Sequence, residues 1–156
     1  MSSPVKIYEG NLFSTNCRTL VNTINCMGVM GKGIALEFKK RFPQMFDDYK
    51  IKCNKKEVQL GHPYIWKDPY DAFGENPYIL NFPTKGHWQF PSELRQIELG
   101  LINFLEHYKE WNLESIAFPQ LGCSNGKLLW CDVKPLMLKY LDQVDIPVEV
   151  YIYNGR

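Results

Sequence analysis

Val21–Ala35 reads VNTINCMGVMGKGIA, and the order of residue types in it decides the fold. The apolar run Thr19–Ile24 predicts a largely buried strand. Asn22 and Asn25 punctuate its end, Gly28, Gly31 and Gly33 follow, and a helical pattern starts at Ile34. Strand, glycine-rich loop and helix N-terminus, in that order, build an anion site. The first amides of a helix have no internal partner, and the helix dipole favours negative charge there. Glycine lets the backbone approach a phosphate closely. Such a unit belongs in an α/β domain with a phosphate-bearing ligand at its strand ends.

Outward from this stretch, strands and helices alternate. Val5–Tyr8 predicts a first strand, and Gly10–Phe13 a turn after it. Gly33–Arg41 predicts a short helix that stops before Pro43, which opens a second helix running to about Cys53. His62–Trp66 and Tyr78–Phe82 read as strands on either side of a surface loop, Lys67–Pro77, rich in Pro, Asp and Gly. Ser92 is expected to cap the longest helix, whose apolar face is Leu94, Ile97, Leu101, Ile102, Leu105 and Tyr108. Ser115–Phe118 predicts a buried strand. Asp132 is expected to cap a helix that tolerates Pro135 in its first turn, and Val148–Tyr153 a closing strand. The alternation predicts an α/β fold with helices on both faces of a sheet, made mixed by the Tyr64–Phe82 hairpin.

A chain of 156 residues, 45% of them hydrophobic, suits one compact domain, 1–156, with a sizeable core. The formal net charge of +1 excludes a global basic field, so any nucleic acid must be recognised locally. Five cysteines, an odd number with no CxxC pair, argue against a zinc cage or a disulfide framework and fit a reducing cytosol. The N-terminal MSSPVKIYEG has no apolar signal core, and no run reaches membrane-spanning length. The expectation is a cytoplasmic monomer with no cofactor, metal or membrane partner.

A second glycine loop, Pro119–Lys127, also follows a buried strand and precedes a helix. In an open α/β sheet, ligands bind beyond the carboxyl ends of the strands. Two such loops suit a diphosphate joining two sugars. Neither has the spacing of a nucleotide-triphosphate or dinucleotide fingerprint. A third feature is Asn81–Trp88, NFPTKGHW, where a strand is expected to end in a tight loop carrying Lys85 and His87. A lysine with a lowered pKa can attack an oxocarbenium-like carbon, although a solvated lysine on a turn reads as well from sequence alone. Asn11 and Leu12 follow the first strand and suit an adenine edge. Tyr153 and Asn154 end the last one, and Tyr153 can stack on a ring. Trp88 and Trp130 suit a groove for an unstacked base, and equally the core or rim. Lys39–Arg41 is the only dense basic run near the first loop and reads as a solvated helix end.

GNLF at Gly10–Phe13, VNTIN at Val21–Asn25, GVMGKGIA at Gly28–Ala35, NFPTK at Asn81–Lys85 and PQLGC at Pro119–Cys123 together resemble the macrodomain family. The resemblance covers essentially the whole chain and is closest to the DarG-type antitoxin branch and the terminal ADP-ribose protein glycohydrolases. It implies a three-layer α/β/α fold and an ADP-ribose ligand. By resemblance, ADP-ribose is held by Asn11, Leu12, Asn25, Gly28, Val29, Met30, Gly31, Lys32, Gly33, Ile34, Ala35, Thr84 and Tyr153. The second loop adds Leu121, Gly122, Cys123, Ser124, Asn125, Gly126, Lys127 and Leu128. Lys85 and Asn22 match the positions on which catalysis depends. The implied activity is removal of ADP-ribose from thymidine bases of single-stranded DNA, reversing a DarT-type toxin, itself a partner. The alternatives are hydrolysis of ADP-ribosylated acidic side chains or O-acyl ADP-ribose, and a non-catalytic reader. The protein-directed relatives carry a catalytic Asp in a CGLDRLxW pattern, where CSNGKLLW here has Gly126. Ser124, Asn125 and Lys127 depart from the glycine-rich loop of the DNA-directed branch, and Asn11 replaces the adenine-reading Asp of many macrodomains.

Overall fold

The computed structural model describes residues 4–153. In chain order the elements are β1 (Val5–Glu9), a 3-10 turn (Leu12–Ser14), β2 (Thr19–Asn25), α1 (Gly33–Arg41), α2 (Pro43–Asn54) and β3 (Tyr64–Trp66). They continue with β4 (Tyr78–Lys85), α3 (Leu94–His107), β5 (Ile116–Phe118), α4 (Trp130–Leu141) and β6 (Val148–Ile152). The six strands form one sheet in the order β1-β6-β5-β2-β4-β3. Every pairing is parallel except β3 with β4. The sheet is mixed, as the hairpin implied.

Strand side chains alternate between two apolar layers. Val21, Leu80, Phe82, Ile116, Phe118, Val148 and Val150 share one cluster with Ile97, Leu101 and Phe104 of α3 and Val133, Met137 and Leu141 of α4. Leu20, Ile24, Ile79 and Ala117 share the other with Phe38 of α1 and Met45 and Tyr49 of α2. Period-two alternation on the strands therefore places one helix pair on each face. That is the three-layer α/β/α arrangement. The five parallel strands all end on one edge of the sheet, which gathers the loops after β1, β2, β4, β5 and β6 there.

Several local expectations change, and β3 starts at Tyr64 rather than His62. β4 runs to Lys85 rather than Phe82, because it stays paired with β2 and a register shift between Ile24 and Asn25 sets Lys85 opposite Asn25. Pro83 lies beyond the residues that β3 pairs, where a missing N–H is tolerated. The cap of α3 is Glu93 and not Ser92, whose hydroxyl is buried without a partner. The cap of α4 is Leu129, so Asp132 lies inside the first turn, where its charge still complements the helix N-terminus. Pro135 is consequently interior to α4 rather than in its first turn. Tyr153 lies just past the end of β6, and Asn154 lies outside the described residues. All five cysteines carry free thiols. No helix among the described residues is long and apolar enough to cross a membrane.

Candidate functional site

Lys85 ends β4 on the carboxyl edge of the sheet, beside the end of β2. Its Nζ donates to the carbonyl oxygens of Trp88 at 3.0 Å and Asn125 at 2.9 Å. The amine is thus held between its own following turn and the second glycine loop. Partial burial, and then the nearby charges of Lys127 and Lys32, hold its pKa below the ordinary lysine value. Among the described residues none of these three lysines forms an ion pair. A neutral amine that spends two N–H groups on carbonyls keeps its lone pair for chemistry.

The first glycine loop is fixed from within. Asn25 Nδ2 donates to Val29 O at 2.8 Å, and Asn25 Oδ1 accepts from Met27 N at 2.9 Å. Tyr49, fully buried on α2, donates its hydroxyl to the Asn25 backbone or side-chain oxygen at 2.9 Å and accepts from Gly28 N at 3.2 Å. Burial pushes the Tyr49 hydroxyl far above its usual range. Sequence reading missed this role because Tyr49 sits on the apolar face of α2. The available signal was its hydroxyl, since a buried tyrosine needs a hydrogen-bond partner. Tyr49→Phe is expected to loosen the loop and lower stability by about 1–3 kcal/mol, read from the urea midpoint.

The loop ends at α1, whose cap, Lys32, offers no side-chain hydrogen bond. The first amides of α1 therefore point outward without a side-chain acceptor, which suits an anion. Val29, Gly31, Lys32 and Gly33 are exposed, Met30 is buried, and Gly28, Ile34 and Ala35 are intermediate.

The second loop is braced from below. Gly122 (φ 72°) accepts from Leu128 N through its carbonyl at 2.9 Å, and Gly126 O accepts from Ser92 N at 2.9 Å. A Cβ on Gly126 would lie well inside contact distance of the Ser92 hydroxyl and the Gly122 carbonyl, so only glycine fits. Leu121, Gly122 and Gly126 are buried, Cys123 and Leu128 are intermediate, and Ser124, Asn125 and Lys127 face outward. Lys127 holds a left-handed backbone (φ 63°) that glycine would hold without strain.

Two features bear on access to this edge. The loops touch: a Cβ on Gly33 would sit 3.0 Å from Asn125 Nδ2. Two hollows lie away from this edge. One of about 290 Å³ is lined by Arg18, Gly74, Tyr78, Asn112 and Glu114, on segments that precede β2, β4 and β5. Another of about 410 Å³ runs between α2 and the segment after β3. Asn22, moreover, is fully buried, one layer beneath the first loop. Its Nδ2 donates to Asn81 Oδ1 at 3.1 Å and lies 3.8 Å from Met30 Sδ. Its Oδ1 has no partner among the described residues.

The remaining expected contacts lie around the same edge. Asn11 Oδ1 accepts from Phe13 N at 2.8 Å and caps the 3-10 turn, while Leu12 is buried beneath it. Thr84 is buried beside Lys85. Tyr153 is exposed, and its N–H donates to Gln120 Oε1 at 3.1 Å, joining the ends of β6 and β5. Trp88 is at the rim, whereas Trp130 packs against the α3/α4 core. Among the described residues no group of three His, Cys, Asp or Glu is placed to hold a metal. The arrangement offers uncapped helix amides, two glycine loops, the cations Lys32 and Lys127, and the Lys85 amine with its lowered pKa. Together these can bind an anionic sugar ligand and attack an electrophilic carbon.

A sequence model of the Macro domain family matches residues 21–137. Mycobacterium tuberculosis DNA ADP-ribosyl glycohydrolase is 42% identical over 94% of this chain and 42% of its own length. The solved macrodomain of Mycobacterium tuberculosis DarG superposes with a TM-score of 0.89 at 39% identity, covering 96% of this chain and 98% of that one. Thermosipho africanus DarTG, solved in complex with ADP-ribose, superposes with a TM-score of 0.90 at 37% identity, over 97% of this chain and 42% of that one. The chain spans about 42% of the length of these curated relatives.

Proposed function

Since the chain belongs to the macro domain family, we propose that it binds ADP-ribose at the carboxyl edge of its sheet. There it hydrolyses the N-glycosidic link between ADP-ribose and a thymine base of DNA, reversing the modification made by a DarT-type toxin. The observation that carries this reading is Lys85, held by one carbonyl of its own turn and one of the second glycine loop, with its pKa lowered. Relatives at about 40% identity that are DNA ADP-ribosyl glycohydrolases support the substrate class.

The uncapped amides of α1 and the exposed Gly31–Gly33 backbone take the diphosphate from one side, and the Ser124–Lys127 turn takes it from the other. Opening the contact between Gly33 and Asn125 admits the ligand. Asn11 and Leu12 flank the adenine, and Tyr153 stacks on it. Asn22 Oδ1, buried without a partner, takes a hydroxyl of the distal ribose once Met30 moves aside. Thr84 and Asn25 set the height of the loop above it. Lys85 attacks, or stabilises charge at, the anomeric carbon of that ribose as the thymine leaves, and water completes the hydrolysis. Gly126 speaks for DNA over protein substrates, because the Asp of the protein-directed relatives has no room there.

The test offers the protein an ADP-ribosylated thymidine oligonucleotide and an ADP-ribosylated glutamate peptide side by side, with release of ADP-ribose measured. Release from the oligonucleotide at least about 100-fold faster is expected, a difference of about 2.7 kcal/mol between transition states. Faster release from the peptide would transfer the assignment to protein substrates. Tight ADP-ribose binding with release from neither would leave a reader.

A further inference from the structure

The turn between β4 and α3 carries exposed aromatic rings that ADP-ribose binding leaves unused. Trp88 is 47% exposed and Phe90 64% exposed. His87 stacks on Trp88 with ring centroids 5.3 Å apart at 26°, and packs against Phe90 at 5.2 Å. The row is stiff. His87 Nδ1 accepts from Gln89 N at 3.0 Å, and Phe90 N donates to His87 O at 3.1 Å. Both ends are tied to the glycine loops: Gly86 O accepts from Cys26 N at 3.2 Å, and Ser92 N donates to Gly126 O at 2.9 Å. The Trp88 carbonyl itself accepts from Lys85. The rings are therefore set at a fixed place beside the Lys85 amine, whose neighbouring cations are Lys127 and Lys32, and none of the three has an acidic partner among the described residues.

We propose that the His87–Trp88–Phe90 row is a stacking platform for a base of single-stranded DNA adjacent to the modified thymine. The proposal rests on the DNA reading of the site. Aromatic faces accept any base, and cations nearby take the backbone phosphate, which is how sequence-tolerant single-strand sites are built. The occupant is nucleic acid because the patch is continuous with a cationic centre and has no acidic group within the His87–Phe90 row. A net charge of +1 fits a site that grips one or two nucleotides through rings rather than a long strand through phosphates.

The experiment measures three quantities for wild type, Trp88→Ala, Trp88→Phe and Phe90→Ala. They are anisotropy of a labelled, unmodified thymidine oligonucleotide, calorimetric affinity for ADP-ribose, and KM for the ADP-ribosylated oligonucleotide. Each alanine variant is expected to lose about tenfold in oligonucleotide affinity and to gain about tenfold in KM, while ADP-ribose affinity stays within about twofold. Trp88→Phe restores most of both, because it keeps a ring. Unchanged oligonucleotide affinity in both alanine variants overturns the platform. If wild type releases nothing from the oligonucleotide while the anisotropy losses appear, the hydrolase reading fails and the platform stands. If release continues with KM unchanged, the platform fails and the hydrolase reading stands.

Discussion

Lys85→Ala is expected to lower release of ADP-ribose from a modified oligonucleotide by about a thousandfold while leaving ADP-ribose bound. The reason is geometric. The Lys85 Nζ lies at the meeting point of the β4 turn and the second loop, and no other amine shares its two carbonyl contacts. In the proposed site the diphosphate is gripped by backbone amides together with Lys32 and Lys127, which the substitution leaves in place. Wild-type turnover by the variant would remove Lys85 from the chemistry. The pH profile then separates its two roles. Burial and the neighbouring cations lower the pKa, so the neutral amine is populated at lower pH than for a free lysine. If the amine attacks, the rate rises with pH and levels off at that lowered pKa. If the ammonium only stabilises charge, the rate falls over the same range, and Lys85→Arg retains activity.

Gly126→Asp is expected to fail as a route to protein-directed activity and to destabilise the chain by about 3 kcal/mol, the upper end for forcing extra atoms into a packed site. That corresponds to a Tm about 6–12 °C lower for a domain of this size. The new Cβ meets the Ser92 hydroxyl and the Gly122 carbonyl, and the second of these is backbone that cannot step aside. Loss of the Gly126–Ser92 hydrogen bond frees the loop that holds Asn125 O against Lys85, so turnover falls as well. Ser92→Gly in the same chain removes one clash and leaves the other, and only partial recovery of Tm is expected. A Gly126→Asp protein with wild-type Tm would show that the second loop can be rebuilt around a carboxylate.

Much of this was legible in residue order. Thr19–Ile24, Gly33–Arg41 and the helix from Pro43 appear where apolar periodicity and proline placed them, because local pattern and packing agree there. The capping expectations at Ser92 and Asp132 failed for a tertiary reason. The chain entering α3 is bonded to Gly126, which turns Ser92 into the buried layer, and α4 starts early because Trp130 packs into the α3/α4 core. Residue order places Lys85 in a loop, because strand length depends on pairing with β2, which residue order does not display.

Sequence alone determined that two strand–glycine loop–helix units exist, of a kind suited to an anionic ligand, and that Asn81–Lys85 accompanies them. These follow from the chemistry of short contiguous segments. Only the tertiary structure decided what those segments do to one another. It set Asn22 beneath Met30 with one oxygen unpaired, made Tyr49 the brace of the first loop, closed Gly33 onto Asn125, and hung Lys85 between two carbonyls. Each of these joins residues from separate elements, so each waited on the parallel register that brings five strand ends to one edge.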